Sequence, residues 1–264
     1  MTRFPEPNTR RDRITLTAML GPRFLLLSLS ALTLAAQEVK FDPRLSVHTI
    51  VREDLFAGYM VNDMERFDRG ERTLEALLAE RPEGKAALLA WKGANELYRA
   101  VRAHEAKNEA EFSTRYASAL EAYGEAERSG ARDFGVAAVS GASLLLFADR
   151  LPRAEQRSQA YEKAWTFYQA MWKQQGGIVE KLPLHIKGEL LSGLAMSAQR
   201  TARAAESAAY LDKMLTVLAG TPYEARAKRW KEEPAVAGRT TLICQTCHDA
   251  GRLEATKARL AAAR

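Results

Sequence analysis

From about residue 45 to residue 232, apolar positions recur at spacings of three and four. The pattern is plain in YMVNDMERFDRGERTLEALLAE, KAALLAWKGANELYRAV, EFSTRYASALEAYGEAE, QAYEKAWTFYQAMWKQ and IKGELLSGLAMSAQ. No alternating apolar–polar run of any length and no hairpin signal interrupts it, so the sequence predicts an all-α protein with eight or nine helices. Residues 134–148, FGVAAVSGASLLLFA, are apolar on every side; their length predicts a helix packed between neighbours rather than one in lipid. Punctuation is also readable. Asn108 with Glu111 and Thr221 with Glu224 have the form of capping boxes, Pro222 suits a first helical position, Asp133 suits an N-cap, and Ser129-Gly130 and Gly176-Gly177 close helices.

The helical pattern contains a degenerate repeat. Trp91-x-x-Ala94-Asn95-x-x-Tyr98 resembles the first helix of a tetratricopeptide repeat, and Ala119-x-x-x-Tyr123-x-x-Ala126 resembles the second. Ala164 and Tyr168 echo the second helix, and Gly141 and Gly193 fall where first helices pack closely. The resemblance covers about residues 65 to 220 and implies three or four helical hairpins, with Trp91, Tyr98, Ala119, Tyr123 and Ala126 buried together across one pair. The Trp91 and Ala119 elements stand farther apart than one standard repeat allows, which keeps an ordinary bundle as the alternative. Trp165, Tyr168 and Trp172 share one helical face and read as a core stripe, with a ligand groove as the other reading.

The N-terminus has a different character. Residues 24–35, FLLLSLSALTLA, form an apolar run behind Arg3, Arg10, Arg11, Arg13 and Arg23 and lead into Ala35 and Ala36, the pattern of a signal peptide cut near Ala36. The run is shorter than the roughly 20 residues a spanning helix needs, although an uncleaved anchor is the alternative. A start at Met19 would leave a compact signal of ordinary length. Of the formal charge of +6, residues 1–36 contribute +3, so the mature part keeps +3. The sequence pI of 9.3 is therefore no argument for nucleic acid, and no Lys/Arg block with interleaved aromatics supports one. About 228 mature residues suffice for a core in one or two domains. No phosphate-binding glycine loop, His-Glu-x-x-His, Gly-x-Ser-x-Gly or Ser/His/Asp grouping is visible. Glu53-Asp54, Glu121, Glu125 and Glu232-Glu233 read as solvated helix faces and ends, so nothing proposes an enzyme.

After Trp230, Glu233-Pro234-Ala235-Val236-Ala237-Gly238 breaks the periodicity, and the tail that follows carries Cys244-Gln245-Thr246-Cys247-His248. This run uses both cysteines of the chain. Two thiols three residues apart reach the two vinyl groups on one edge of a porphyrin, and a His directly after the second is placed to ligate the iron. A structural zinc site wants four N/S ligands, and His48, His104 and His185 offer no spacing that completes one. A redox dithiol is expected after a strand, whereas this run lies among helix and linker; a small-loop disulfide is a further reading.

The run resembles the haem-attachment segment of c-type cytochromes, a resemblance confined to Cys244–His248 and their flanks. It implies one covalent haem c on Cys244 and Cys247 with His248 as proximal iron ligand. It also implies an exported, periplasmic electron carrier that meets an exported redox or scaffold partner. Placement near the C-terminus is similar to the four-helix cytochromes of the c-prime type, although the preceding chain is about twice too long for them. Haem ligation needs an unfolded chain with free thiols, which favours unfolded export over the twin-arginine route hinted at by Arg10-Arg11. The expected organisation is a signal peptide over 1–36, a tetratricopeptide-like array over 37–232, and a linker and haem-binding tail over 233–264.

No Met or His follows His248, so a distal ligand within the chain must be Met60, Met64, Met171, Met196, Met214, His48, His104 or His185. In a linear array the tail folds back on the last helices, which narrows the field to His185, Met196 and Met214. Both methionines stand in apolar helical patterns as core filler, leaving His185, just after Pro183 at a helix start, as the candidate. Two other readings stay open: a five-coordinate haem module that binds a small gas, and a helical scaffold with a Cys-x-x-Cys redox pair.

Overall fold

The computed structural model describes residues 41–130, 132–244 and 251–263. Residues 1–36, expected from the sequence to be a signal peptide, and Cys247 and His248 lie outside the described residues. The protein is all-α, and the described residues belong to one unit, Lys40–Arg264.

Helix α1, Val47–Val61, starts where the Ser46 hydroxyl accepts the Thr49 N–H, and it ends at Asn62, whose left-handed backbone turns its N–H onto the Ala57 and Gly58 carbonyls. Asp63 then caps α2, Met64–Glu80, by accepting the Arg66 N–H at 3.1 Å. Helices α3, Lys85–Glu105, and α4, Glu109–Gly130, form the second hairpin. Asn108 caps α4 as expected: its Oδ1 accepts the Glu111 N–H at 3.2 Å and its amide donates to the Glu111 carboxylate at 3.0 Å. Helices α5, Phe134–Phe147, and α6, Ala154–Gln175, form the third, with Asp133 Oδ1 accepting the Gly135 N–H at 2.7 Å. Helices α7, Leu184–Arg200, and α8, Ala204–Val217, form the fourth, and α9, Pro222–Glu232, closes the series. Thr221 departs from the expected capping box. Its hydroxyl donates to the Leu218 carbonyl at 2.6 Å, and Glu224 accepts the Gly220 N–H instead, because the preceding helix end has already claimed the threonine side chain.

Successive hairpins pack through both of their helices onto the first helix of the next, α1 and α2 on α3, α3 and α4 on α5, and α5 and α6 on α7. An array of this kind buries one continuous core that no single hairpin could bury alone. Trp91, Tyr98, Ala119, Tyr123 and Ala126 are all buried, with the Tyr123 hydroxyl 2.7 Å from Ser143 Oγ of the neighbouring hairpin. The all-round apolar α5 packs against α3, α6 and α7, which explains why it lacks a polar face. Ala119 is fully buried and Glu121 exposed. Chemical denaturation of Ala119→Leu is expected to show a loss of about 1–3 kcal/mol from overpacking, while Glu121→Lys stays near neutral. Equal tolerance would contradict the register.

The aromatic stripe on α6 splits. Tyr168 is buried in the core, whereas Trp165 and Trp172 are half-buried and meet Tyr210 of α8 edge-on, with Arg203 over Trp165 and Lys213 over Trp172. Residues seven apart lie within about 20° of each other around an α-helix, so Trp165 and Trp172 share α8, while Tyr168 stands about 40–60° round from them toward the core.

Beyond α9, the short helix α10, Pro234–Ala237, leads into a strap that recrosses the array. Arg200 donates to the Ala237 carbonyl at 2.9 Å, the Trp230 indole to Thr240 Oγ1 at 3.0 Å, and Leu242 and Ile243 are fully buried. Helix α11, Arg252–Ala262, then lies against α1: the Arg252 N–H donates to the Glu53 carboxylate, and Arg44 donates to the Leu260 carbonyl at 3.1 Å. The tail thus touches both ends of the array, not only the last helices. Curvature of the stacked hairpins is the cause, since it turns α1 and α7 toward one interior space.

Candidate functional site

The inner face of the curved array encloses a cavity of about 450 Å³, walled by the first helices of all four hairpins, by α6 and by the end of the strap. This lies within the range of roughly 300–1,000 Å³ that takes a cofactor-sized ligand. Its walls are mostly apolar: Phe56, Trp91, Ala94, Leu146, Tyr168, Met171 and Leu190 face it. The groups able to do chemistry gather on one side, where α1 contributes His48 and Arg52, α7 contributes His185 and Glu189, and the strap contributes Cys244.

Cys244 is 6% exposed, so the first cysteine of the Cys-x-x-Cys-His run forms part of the cavity wall. Its backbone has φ +61°, a left-handed conformation uncommon outside glycine and asparagine. Two neighbours hold the strap there. Thr241 Oγ1 accepts the Ile243 N–H at 3.2 Å, and Glu189 Oε2 accepts the Cys244 N–H at 2.8 Å. Burial raises the Glu189 pKa, an effect that the Cys244 N–H and the Tyr223 hydroxyl counteract.

The two cavity histidines differ in what their ring nitrogens meet. The Trp91 indole N–H donates to His48 Nδ1 at 3.3 Å. An indole nitrogen can only donate, so the His48 proton sits on Nε2 and the ring is a hydrogen-bond donor. His185 Nδ1 faces the Tyr223 hydroxyl at 3.4 Å, at the long end of hydrogen bonding. Burial, helped by Arg52 and the neighbouring His185, depresses the His48 pKa to about 4; burial with Arg252 and Arg52 does the same for His185, also to about 4. Both rings are therefore neutral near pH 7, the state in which an imidazole can hold a metal. A His that must be neutral when folded binds more protons unfolded, so it weakens the fold as pH falls from about 6.5 toward 4. Thermal unfolding of the haem-free chain across that window is expected to flatten in His48→Gln relative to the unsubstituted chain. Parallel curves would contradict the buried neutral ring.

Of the ligand candidates named from the sequence, His48, His185 and Met171 line the cavity. Met196 and Met214 do not. Both are core, with Met196 Sδ 3.6 Å from the Thr241 hydroxyl beneath the strap. Met64 lies against the Tyr98 hydroxyl, Met60 is exposed, and His104 pairs with Glu109 on the surface at 2.8 Å. The narrowing to the last helices left out His48 and Met171, which line the same cavity as His185, because it assumed a linear array. Cys247 and His248 lie outside the described residues. Among the described residues no group of three or more His, Cys, Asp or Glu converges to cage a metal.

The residues present fit a haem. A mostly apolar cavity of cofactor size has a thiol and a neutral imidazole in its wall, which are the group types that attach a porphyrin and ligate its iron. Glu189 was not foreseen. Its signal was a lone acid inside the apolar run GELLSGLAM, a position where an unpaired carboxylate is costly.

No family model, curated protein or solved structure matches this chain.

Proposed function

We propose that the chain is an exported monohaem c-type cytochrome, an electron carrier whose haem-binding tail is folded into a tetratricopeptide-like helical array. The observation that carries the reading is the delivery of Cys244, first residue of a Cys-x-x-Cys-His run, to the wall of the apolar cavity beside His185. Cys244 and Cys247 would hold the haem c, His248 would be the proximal ligand and His185 the distal one. When bound, that group supplies one-electron chemistry at iron. The chain's own contribution is to exclude water with Phe56, Leu146, Tyr168 and Leu190, to present neutral imidazole, and to fix Cys244 through Glu189. Low dielectric around the site and the hydrogen bonds behind its ligands then set the potential. The convex faces of the hairpins would offer a docking surface to an exported redox partner, and no helix of the described residues is long and apolar enough to cross a membrane.

One observation favours a second reading, a module that binds a small gas: His48 places an N–H donor among the groups of the cavity wall. The two separate by spectrum. A low-spin haem that takes up carbon monoxide slowly, and that becomes high-spin and fast-binding in His185→Ala, is the expected result for the electron carrier. A wild type already high-spin and fast-binding favours the gas-binding module.

A further inference from the structure

Glu189 joins two parts of the site that come from distant stretches of chain. Its carboxylate oxygens are divided between them: Oε2 accepts the Cys244 N–H at 2.8 Å, and Oε1 accepts the Tyr223 hydroxyl at 3.0 Å. The same Tyr223 oxygen faces His185 Nδ1 at 3.4 Å. Tyr223 has no room to turn away. Its ring is buried with Arg226 over one face at 5.1 Å, and it presses so closely on Gly188 that a Cβ there would come within 2.4 Å of Cε2.

The direction of this chain of hydrogen bonds follows from what each group can do. A carboxylate accepts and a backbone N–H donates. With its hydroxyl proton given to Glu189, the Tyr223 oxygen accepts from His185, which places the imidazole proton on Nδ1 and the lone pair on Nε2. His48 has the opposite assignment, since the donor-only indole of Trp91 fixes its proton on Nε2. The two cavity histidines are therefore inequivalent, one prepared as a ligand and the other as a donor.

We propose that Glu189 is a positioning residue for both halves of the haem site: it holds the Cys244 backbone directly, and through Tyr223 it holds His185 in the tautomer able to ligate iron through Nε2. The proposal rests on the cytochrome reading above for its purpose, but its geometry can be tested without haem. Ligating histidines commonly donate their other ring nitrogen to an oriented acceptor, and such partners fix ring orientation and basicity. Here Tyr223 is that acceptor and Glu189 its anchor.

The experiment is nitrogen-15 NMR of the histidine rings in the full mature chain produced without haem-ligation machinery, paired with the absorption spectrum of the haem-loaded protein. The unsubstituted chain is expected to show Nδ1–H for His185 and Nε2–H for His48. In Glu189→Gln the side chain offers one oxygen, which the Cys244 N–H retains. The amide NH₂ then faces Tyr223 and turns its hydroxyl proton toward His185. The His185 tautomer is expected to invert, with loss of the low-spin signature while covalent haem stays at the wild-type level. Tyr223→Phe keeps the Cys244 contact and removes the relay, so His185 should relax toward Nε2–H, the form that neutral imidazole prefers. A His185 ring that keeps its Nδ1–H signal in both variants overturns the proposal whatever the haem content, and if Glu189→Gln does not fold, the same result in Tyr223→Phe alone overturns it. Tautomers as stated in a wild type that carries no covalent haem would overturn the cytochrome reading and leave the positioning role of Glu189 standing.

Discussion

Replacing Gly193 with leucine is expected to destabilise the fold by about 3 kcal/mol or more, a large share of the roughly 5–15 kcal/mol that holds a domain together. Gly193 lies mid-helix in α7, directly against the face of Tyr168. A Cβ there would stand 1.9 Å from Tyr168 Cε1, well inside van der Waals contact. The ring's other edge already packs on Gly141, where a Cβ would meet Tyr168 Cε2 at 3.1 Å, so it cannot give way toward α5. Any added side chain must therefore part α5, α6 and α7 or drive Tyr168 into the cavity. Alanine gains up to about 1 kcal/mol of helix propensity over glycine, which offsets only part of that strain, so Gly193→Ala should also lose stability. The matched control is Gly177→Ala, with nothing within 4 Å of its Cβ, which should be near neutral by denaturant titration. A Gly193→Leu chain as stable as wild type would mean that the array does not close on Tyr168.

The second large effect is on cofactor retention. In the haem-loaded protein, replacing Cys244 and Cys247 together with serine is expected to abolish covalent haem, as a hydroxyl forms no thioether under these conditions. Each single replacement should leave one thioether and a weaker attachment, measured as haem retained through acid–acetone extraction. Cys244→Ser should perturb the apo fold little: the Glu189 contact is to the backbone N–H, which serine keeps. Retention of covalent haem by the double variant would show that the Cys-x-x-Cys-His run is not the attachment site.

Much of the fold was legible because helical periodicity is a local property. The spacing of apolar residues in KAALLAWKGANELYRAV suffices to place Trp91 and Tyr98 on a buried face, and the small–aromatic–small pattern from Ala119 to Ala126 suffices to pair α4 with α3. Caps were half legible. Asn108 and Asp133 behave as their spacing implies, but the Thr221 hydroxyl can either accept a capping N–H or donate to the Leu218 carbonyl, and spacing does not say which wins. The cavity was not legible at all. It arises from the curvature of four stacked hairpins, a sum of small rotations that no segment encodes alone, and so His48 of α1 and His185 of α7 meet without any sequence signal linking them. Glu189 was missed for a related reason: its two partners, Cys244 and Tyr223, lie far along the chain, and only the folded strap shows why a carboxylate belongs there.

Covalent attachment of haem to this helical array is tested by the intact mass and absorption of the wild-type mature protein, co-expressed with haem-ligation machinery and then denatured and extracted with acid–acetone. The expected result is a mass increased by one haem with a pyridine haemochrome spectrum of the c type. A folded, colourless protein at its bare polypeptide mass would contradict it.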